Sequence, residues 1–349
     1  MLTYWLLYLL PLAFALIFTQ RQQRTLLPWV ATGALFIIII GLRDKIGCDW
    51  CNYLRHYEEM VDIPYAEAFT TLKDPAHSFV NWVANEFDWG IYGVNLIYAT
   101  IFVIGLIKFA RTQTYPWLAL AVSVPYMVVM VSMGYSRQGV ALGLFMFAIT
   151  QLEKGRFKSY IVWVLFAALF HKTALVLLPF GLFLTKGNMI VRLLVIVPVL
   201  YGGWDLLLAE KEEHLWQTYV EQQMQSSGAK IRVAMNFLPA IFLLLYRKRW
   251  KHLYRDYPFW LWISIASIFS MFLVGYATTA VDRISLYFIP LQLAVFSRLP
   301  YLLRKQISPQ VTTLFILFFY ALVLFVWLVF ATHSHCWLPY QNILWEGLF

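Results

Sequence analysis

The sequence predicts an all-α polytopic membrane protein with about twelve transmembrane helices. Composition is the first reason: 61% of the 349 residues are hydrophobic and only 13% are charged, about half the ~25% charge of an average soluble domain. Distribution is the second. The apolar residues come in blocks of roughly 16 to 20, the length a bilayer core demands of a helix, with charges confined between blocks. Texture is the third: Leu35–Ile40 and Leu314–Phe330 are apolar on every side, whereas an outer-membrane barrel needs polar and apolar residues to alternate. A soluble globule and a barrel are both excluded.

Breaking the hydropathy at charged clusters and at proline or glycine delimits the elements. The first, 2–18, has no basic residue before it and no small-residue cleavage site after it, so it is expected as a retained helix and not a removable leader. The second, 26–42, ends at Arg43. Spans 89–109, 115–133 and 137–152 come next, punctuated by Lys108–Arg111, Ser136-Arg137 and Glu153-Lys154. Segments 159–170 and 172–184 meet at Phe170-His171-Lys172 and are each shorter than the ~20 residues of a full span, so they are read as two short helices or as a broken, re-entrant pair. Spans 190–208, 232–246, 258–276, 283–297 and 311–331 complete the set. The expectation is a single integral membrane domain, 1–349, with two external loops long enough to hold structure, 43–88 and 210–231. The first loop contains an amphipathic stretch (Phe69, Leu72, Phe79, Trp82, Val83, Phe87), broken at Asp74-Pro75 and expected to lie at the membrane interface.

Sorting the charges orients the helices. If the loop at 20–25 is cytoplasmic, alternate loops hold 17 of the 27 basic residues but only Glu153 and Asp256 of the 18 acidic ones. The positive-inside rule then puts both termini outside the cytoplasm. The net charge of +9 serves this orientation, and no separate basic patch calls for nucleic acid.

The informative residues are the cations on the disfavoured, external side. Arg43 ends the second span, Arg137 opens the fifth, Lys172 joins two short segments beside His171, and Arg232 and Arg283 open the ninth and eleventh. Ionisable groups at such positions are costly and mark functional sites by default. Snorkelling or a structural ion pair is the alternative for any one of them. Together they form a cationic mouth whose planar guanidinium forks suit phosphate oxygens. Asp49, in the polar stretch after Arg43, can act as a base or as a counter-ion, and His171 can take a proton or bind phosphate. Trp50 and Tyr53 add stacking surfaces of the kind sugars use, and Asp282 is read as the ion-pair partner that fixes Arg283. Cys48-x-x-Cys51 is half a zinc site at best, with His333-x-His335-Cys336 its only candidate complement. No metal and no cofactor are therefore expected, and one disulfide among Cys48, Cys51 and Cys336 is expected in an oxidising compartment, its pairing left open.

The motifs, taken in order, resemble the EpsG-like family of Wzy-type polysaccharide polymerases. Arg43 with Gly47-Cys48-Asp49-Trp50-Cys51-Asn52-Tyr53 is similar to the family's R-x-x-x-G-x-D-aromatic-x-x-Y signature. Ser136-Arg137-Gln138-Gly139-Val140-Ala141 resembles its R-Q-x-x-A helix start, and Phe170-His171-Lys172-Thr173-Ala174 its F-H-x-(S/T)-A motif. Asp282-Arg283 and Pro339-Tyr340 also fit. The cysteines inside the first signature depart from the pattern.

The resemblance implies a GT-C-like bundle with an amphipathic external segment, in the bacterial inner membrane, with its active site facing the periplasm. It implies O-antigen, capsule or exopolysaccharide biosynthesis. A growing chain on undecaprenyl diphosphate would be transferred en bloc to a sugar hydroxyl of a second lipid-linked repeat unit. Donor, acceptor and membrane lipid are the implied partners, with a chain-length regulator and a flippase beside them. Arg137 and Arg283 would hold the leaving diphosphate, helped by Arg43 and Arg232, with Gln138 also at the substrate, and Asp49 or His171 would be the base of an inverting, metal-independent displacement. A lipid-linked oligosaccharide flippase is the competing class, but it should carry charges in mid-helix, where this sequence has almost none. A membrane O-acyltransferase should show a basic conduit through the bundle.

Overall fold

A computed structural model describes residues 1–19, 21–184, 228–276 and 278–345, together with 190, 194, 197, 198 and 201. Its helices are α1 (Leu2–Ile17), α2 (Leu26–Gly41), α3 (Trp50–Glu58), α4 (Pro75–Glu86), α5 (Gly90–Thr112), α6 (Pro116–Ser123), α7 (Ser136–Glu153) and α8 (Phe157–Phe170). A 3-10 helix, Lys172–Leu184, leads to the second half: α9 (Ala229–Leu245), α10 (Arg247–Leu253), α11 (Tyr257–Leu273), α12 (Thr278–Ser285), α13 (Pro290–Leu303) and α14 (Pro309–Phe330). Among the described residues two helices, α5 and α14, are long and apolar enough to cross a membrane. Counting each bent pair as one span raises the number to four: α9 with α10, bent by 80°, and Thr278–Phe288 with α13, bent by 43°. The remaining apolar helices are 10–17 residues long. Every predicted span among the described residues falls on helix; 190–208 and the 210–231 loop lie largely outside those residues.

Local chemistry sets the boundaries. Proline occupies the first turn of α4, α6, α11, α13 and α14, where its missing N–H costs nothing. From α6 the chain continues as a π-helix, Val124–Ser132, which closes just before the start of α7. Such wide turns recur at functional sites, and this one re-aims the chain into Ser136-Arg137. The break at His171 has extended backbone (φ −155°, ψ 103°) and separates α8 from the 3-10 helix, so the two short segments are a broken pair.

The core forms where small residues let helices close. A Cβ on Gly143 of α7 would lie 2.6 Å from the Phe102 Cα, and one on Gly105 of α5 would run into the Gly143 carbonyl oxygen. Lipid offers no hydrophobic drive between helices, so this backbone approach supplies van der Waals contact that larger residues would prevent. A polar chain ties α9 to the second half: Tyr320 donates to Gln292 at 2.7 Å, Gln292 to Asn236 at 2.7 Å, and Asn236 to the Ser285 carbonyl at 2.7 Å. At one end of the bundle, Arg298 of α13 holds Asp256 with both guanidinium nitrogens at 2.8 and 2.6 Å, and Trp260 donates to the same carboxylate.

The opposite end is laced by the C-terminal segment, which the hydropathy pattern did not anticipate. Strand β1 (Arg43–Asp44) pairs antiparallel with β2 (Gln341–Asn342), with Arg43 opposite Asn342. Cys48 is joined to Cys336 by a disulfide, and the Gly47 N–H donates to the Cys336 carbonyl at 2.9 Å. Cys51 is left as an exposed free thiol. The zinc reading loses its ligands, because two of the thiols it needed are bonded to each other. Alkylation of the unreduced, denatured protein should therefore label one cysteine, Cys51, and reduction should raise the count to three. Labelling at Cys48 or Cys336 before reduction, counted by peptide mass, would contradict the pairing.

Candidate active site

The signature loop after α2 is fitted to the start of α7. Gly47 has φ +99°, and a Cβ there would lie 2.6 Å from the Met133 carbonyl oxygen, so both backbone conformation and space require glycine. Arg43, 1% exposed, points inward: it donates to the Ile40 carbonyl, to Ser136 Oγ at 2.8 Å and to Asn95 Oδ1 at 3.2 Å. It was expected at the substrate. Its donors instead fasten the residue beside Arg137, because a buried guanidinium must spend its N–H groups on nearby oxygens.

Arg137 is the centre of the end of the bundle that holds the signature loop. Its Nη1 donates to Asp74 Oδ2 at 2.7 Å, and the guanidinium lies 5.9 Å from the Tyr53 ring centroid. The Lys172 backbone N–H also reaches the Asp74 carboxylate. Asp74 is the N-cap residue of α4, one position before Pro75, so the external amphipathic helix begins at this ion pair. Burial pushes the Asp74 carboxyl up, while Arg137 and Lys172 pull against that shift.

The other motifs converge from the second half of the chain. Gln138 Nε2 donates to the Arg283 carbonyl, fastening α12 to α7, and Arg283 itself is exposed. Asp282 takes both Arg232 Nε, at 2.7 Å, and Arg232 Nη2, so its bidentate partner comes from α9, across the bundle. His171, in the connection between α8 and the 3-10 helix, has Arg137, Arg283 and Lys172 as its charged neighbours; burial first, and then these cations, push it down to about 3. Asp49 is half-buried, accepts from Asn52 at 3.4 Å, and forms no ion pair among the described residues. Trp50 and Tyr53 are buried, 9% and 8% exposed, so their rings pack beneath the site, Trp50 against Tyr92.

Sequence reading missed a further group. His77 of α4 is 1% exposed; Tyr98 of α5 lies 2.6 Å from its Nδ1 and the Asn81 amide 3.0 Å from the same atom. With two donors on Nδ1, the proton sits on Nε2, which donates to His56 Nδ1 at 3.1 Å. Only Asp74-Pro75, an acid followed by a helix-starting proline, signalled that α4 carries anything toward the site. Among the described residues no cluster of three or more His, Cys, Asp or Glu is placed to hold a metal ion.

A family model described as the EpsG family matches residues 26–342. The chain belongs to the EpsG family. No curated protein and no solved structure matches it. Family membership and the apolar helices make this EpsG-family chain a membrane protein, and the match runs from α2 to β2, taking in every motif gathered around Arg137.

The two histidines give this end a pH dependence. Burial first, and then Arg137, hold both His56 and His77 below the ordinary value, which is about 6.5. Arg55 and Lys73 also press His56 down, against Glu59. The unfolded chain therefore binds more protons than the folded one once pH falls past about 6.5. The stability these groups lend above that value is lost between it and their lower folded values. Thermal unfolding should move to lower temperature between pH 7.5 and 5, and H77Q should reduce that movement. An equal movement in the variant would rule His77 out.

Proposed function

We propose that this EpsG-family protein is a membrane glycosyltransferase that polymerises oligosaccharide repeat units carried on a lipid diphosphate. The whole growing chain passes from its lipid diphosphate to a sugar hydroxyl on a second lipid-linked unit. The observation that carries the reading is the gathering of Arg137, Lys172 and Arg283 around His171 at one end of an apolar bundle, with Arg137 fixed by Asp74.

A diphosphate leaving group needs its developing charge stabilised, and preorganised donors in a site shielded from water are worth a few kcal/mol each. Arg137 is 29% exposed along its side chain, with Asp74 and Tyr53 as partners, so part of its guanidinium stays open to a ligand. Arg283 and Lys172 stand on the same rim, and Gln138 and the Arg232–Asp282 pair hold α12 in place. The base is Asp49: it is half-exposed and ion-pairs with no described cation, whereas Asp74 is committed to Arg137 and His171 is surrounded by positive charge. One base suffices for a single displacement with inversion. In this reading the chain is one integral membrane domain of about twelve spans in a GT-C-like arrangement. It lies in the bacterial inner membrane with both termini and the site on the periplasmic side, serving O-antigen, capsule or exopolysaccharide assembly on undecaprenyl diphosphate. A chain-length regulator and a flippase would work beside it.

Purified lipid-linked repeat unit, incubated with detergent-solubilised protein, chelator and no nucleotide sugar, should give a ladder of products. R137A and R283A should each slow its appearance about 10²- to 10³-fold, the cost of removing one preorganised donor. D49N should slow it about 10²- to 10⁴-fold, the range of a lost general base. Ladders formed at wild-type rate by the folded variants would overturn the site. No ladder from folded, substrate-binding wild type would overturn polymerisation and favour a flippase.

A further inference from the structure

The end of the bundle opposite Arg137 carries a second cationic feature, independent of the proposed polymerase site. A cavity of about 340 Å³ opens between the last turns of α5 and α7 and the short 3-10 turn Gln22–Arg24. Arg24, Lys108, Arg111 and Lys154 line it, and no acidic residue does. None of the four ion-pairs among the described residues.

Cations at a membrane face often do no more than orient helices, and for that they can wave in open loops. These are held in place. Arg24 Nη1 donates to the Arg111 carbonyl at 3.3 Å and Arg111 Nη2 donates to the Arg24 carbonyl at 3.4 Å, so each side chain is tied to the other residue's backbone at the cavity wall. Lys108 Nζ sits 4.6 Å above the Phe147 ring, which also lines the cavity. Like charges fixed together without a counter-ion repel, and an anion between them relieves the cost. The lining also contains Thr112, Thr150 and Gln151, polar groups suited to a hydroxyl. Pro116 and Phe147 supply apolar wall.

We infer that this cavity binds the phosphate of an anionic, hydroxyl-bearing phospholipid head group. A phosphodiester would sit by Arg24 and Arg111 with Lys108 and Lys154 beside it, a head-group hydroxyl would meet Thr112, Thr150 or Gln151, and the acyl chains would leave along the membrane. Basic pockets between helices at a membrane face take anionic lipids in this way.

The test uses full-length protein stripped of lipid in neutral detergent and titrated with phosphatidylglycerol or phosphatidylcholine in mixed micelles. Bound lipid is counted by native mass spectrometry and stability by thermal unfolding. Phosphatidylglycerol should be retained and raise the unfolding temperature, and phosphatidylcholine should do neither. R24Q/R111Q should weaken retention at least tenfold, K108Q should weaken it less, and R247Q/K248Q, which removes equal charge from exposed positions outside the cavity, should leave it within twofold. Equal retention of both lipids, or equal losses in the cavity and control variants, would overturn the site. Inorganic phosphate that stabilises the lipid-free protein to the same extent and displaces phosphatidylglycerol would overturn the lipid assignment in favour of a soluble phosphate ester. If R24Q/R111Q does not fold, the comparison of the two lipids on wild type and on K108Q decides.

Discussion

Asp74 and Arg137 hold each other at 2.7 Å across 63 residues of chain, and the signature-loop end of the molecule is arranged around that contact. Neither group is stable alone where it sits: a desolvated carboxylate or guanidinium pays a large penalty that only a partner with good geometry recovers. Pairing them fixes the start of α4 over the start of α7. The amphipathic helix, a surface element by its pattern, thereby joins the Arg137 cluster, and it brings His77 against His56 of α3. Arg43 acts one step further in. Buried with its donors on Ser136 and Asn95, it sets where α7 begins and hence where Arg137 points.

The same rule, that charge in an apolar body must be paired or placed at its ends, divides the molecule into two chemically distinct faces. At one, Arg298 is closed off by Asp256 and by the rings of Trp250 and Tyr254, a sealed arrangement that fixes helices and leaves nothing to offer a ligand. At the other, Arg137 keeps partial exposure and Arg283 is exposed. A buried ion pair makes structure, and a half-buried cation makes a binding site. The C-terminal segment contributes to the second by clamping the signature loop through the Cys48–Cys336 disulfide and the pairing of β1 with β2.

Much of this was legible in the sequence. Helix positions came from blocks of apolar residues, because hydropathy is a local property that needs no partner. The sorting of charges between two ends was legible for the same reason, and Arg137, Lys172 and Arg283 stood out as cations on the disfavoured side. Their shared motif order carried the family. What the pattern could not give was direction: Arg43 and the aromatic pair Trp50 and Tyr53 were read as substrate contacts from residue type, and the fold buries all three. Arg43 turned inward because Asn95 and Ser136 were there to receive it.

By itself, then, the sequence determined that the chain is a helical membrane protein of the EpsG type, since bilayer thickness and the energy of desolvated charge act on each segment separately. Tertiary structure alone decided which charges meet. The choice of Asp74 for Arg137, Arg232 for Asp282, Cys336 for Cys48, and the meeting of His77 with Tyr98 and His56 each join separate elements of the chain. Partnership depends on how close backbones come, and the glycine contacts of α5 with α7 and of Gly47 with Met133 set that distance.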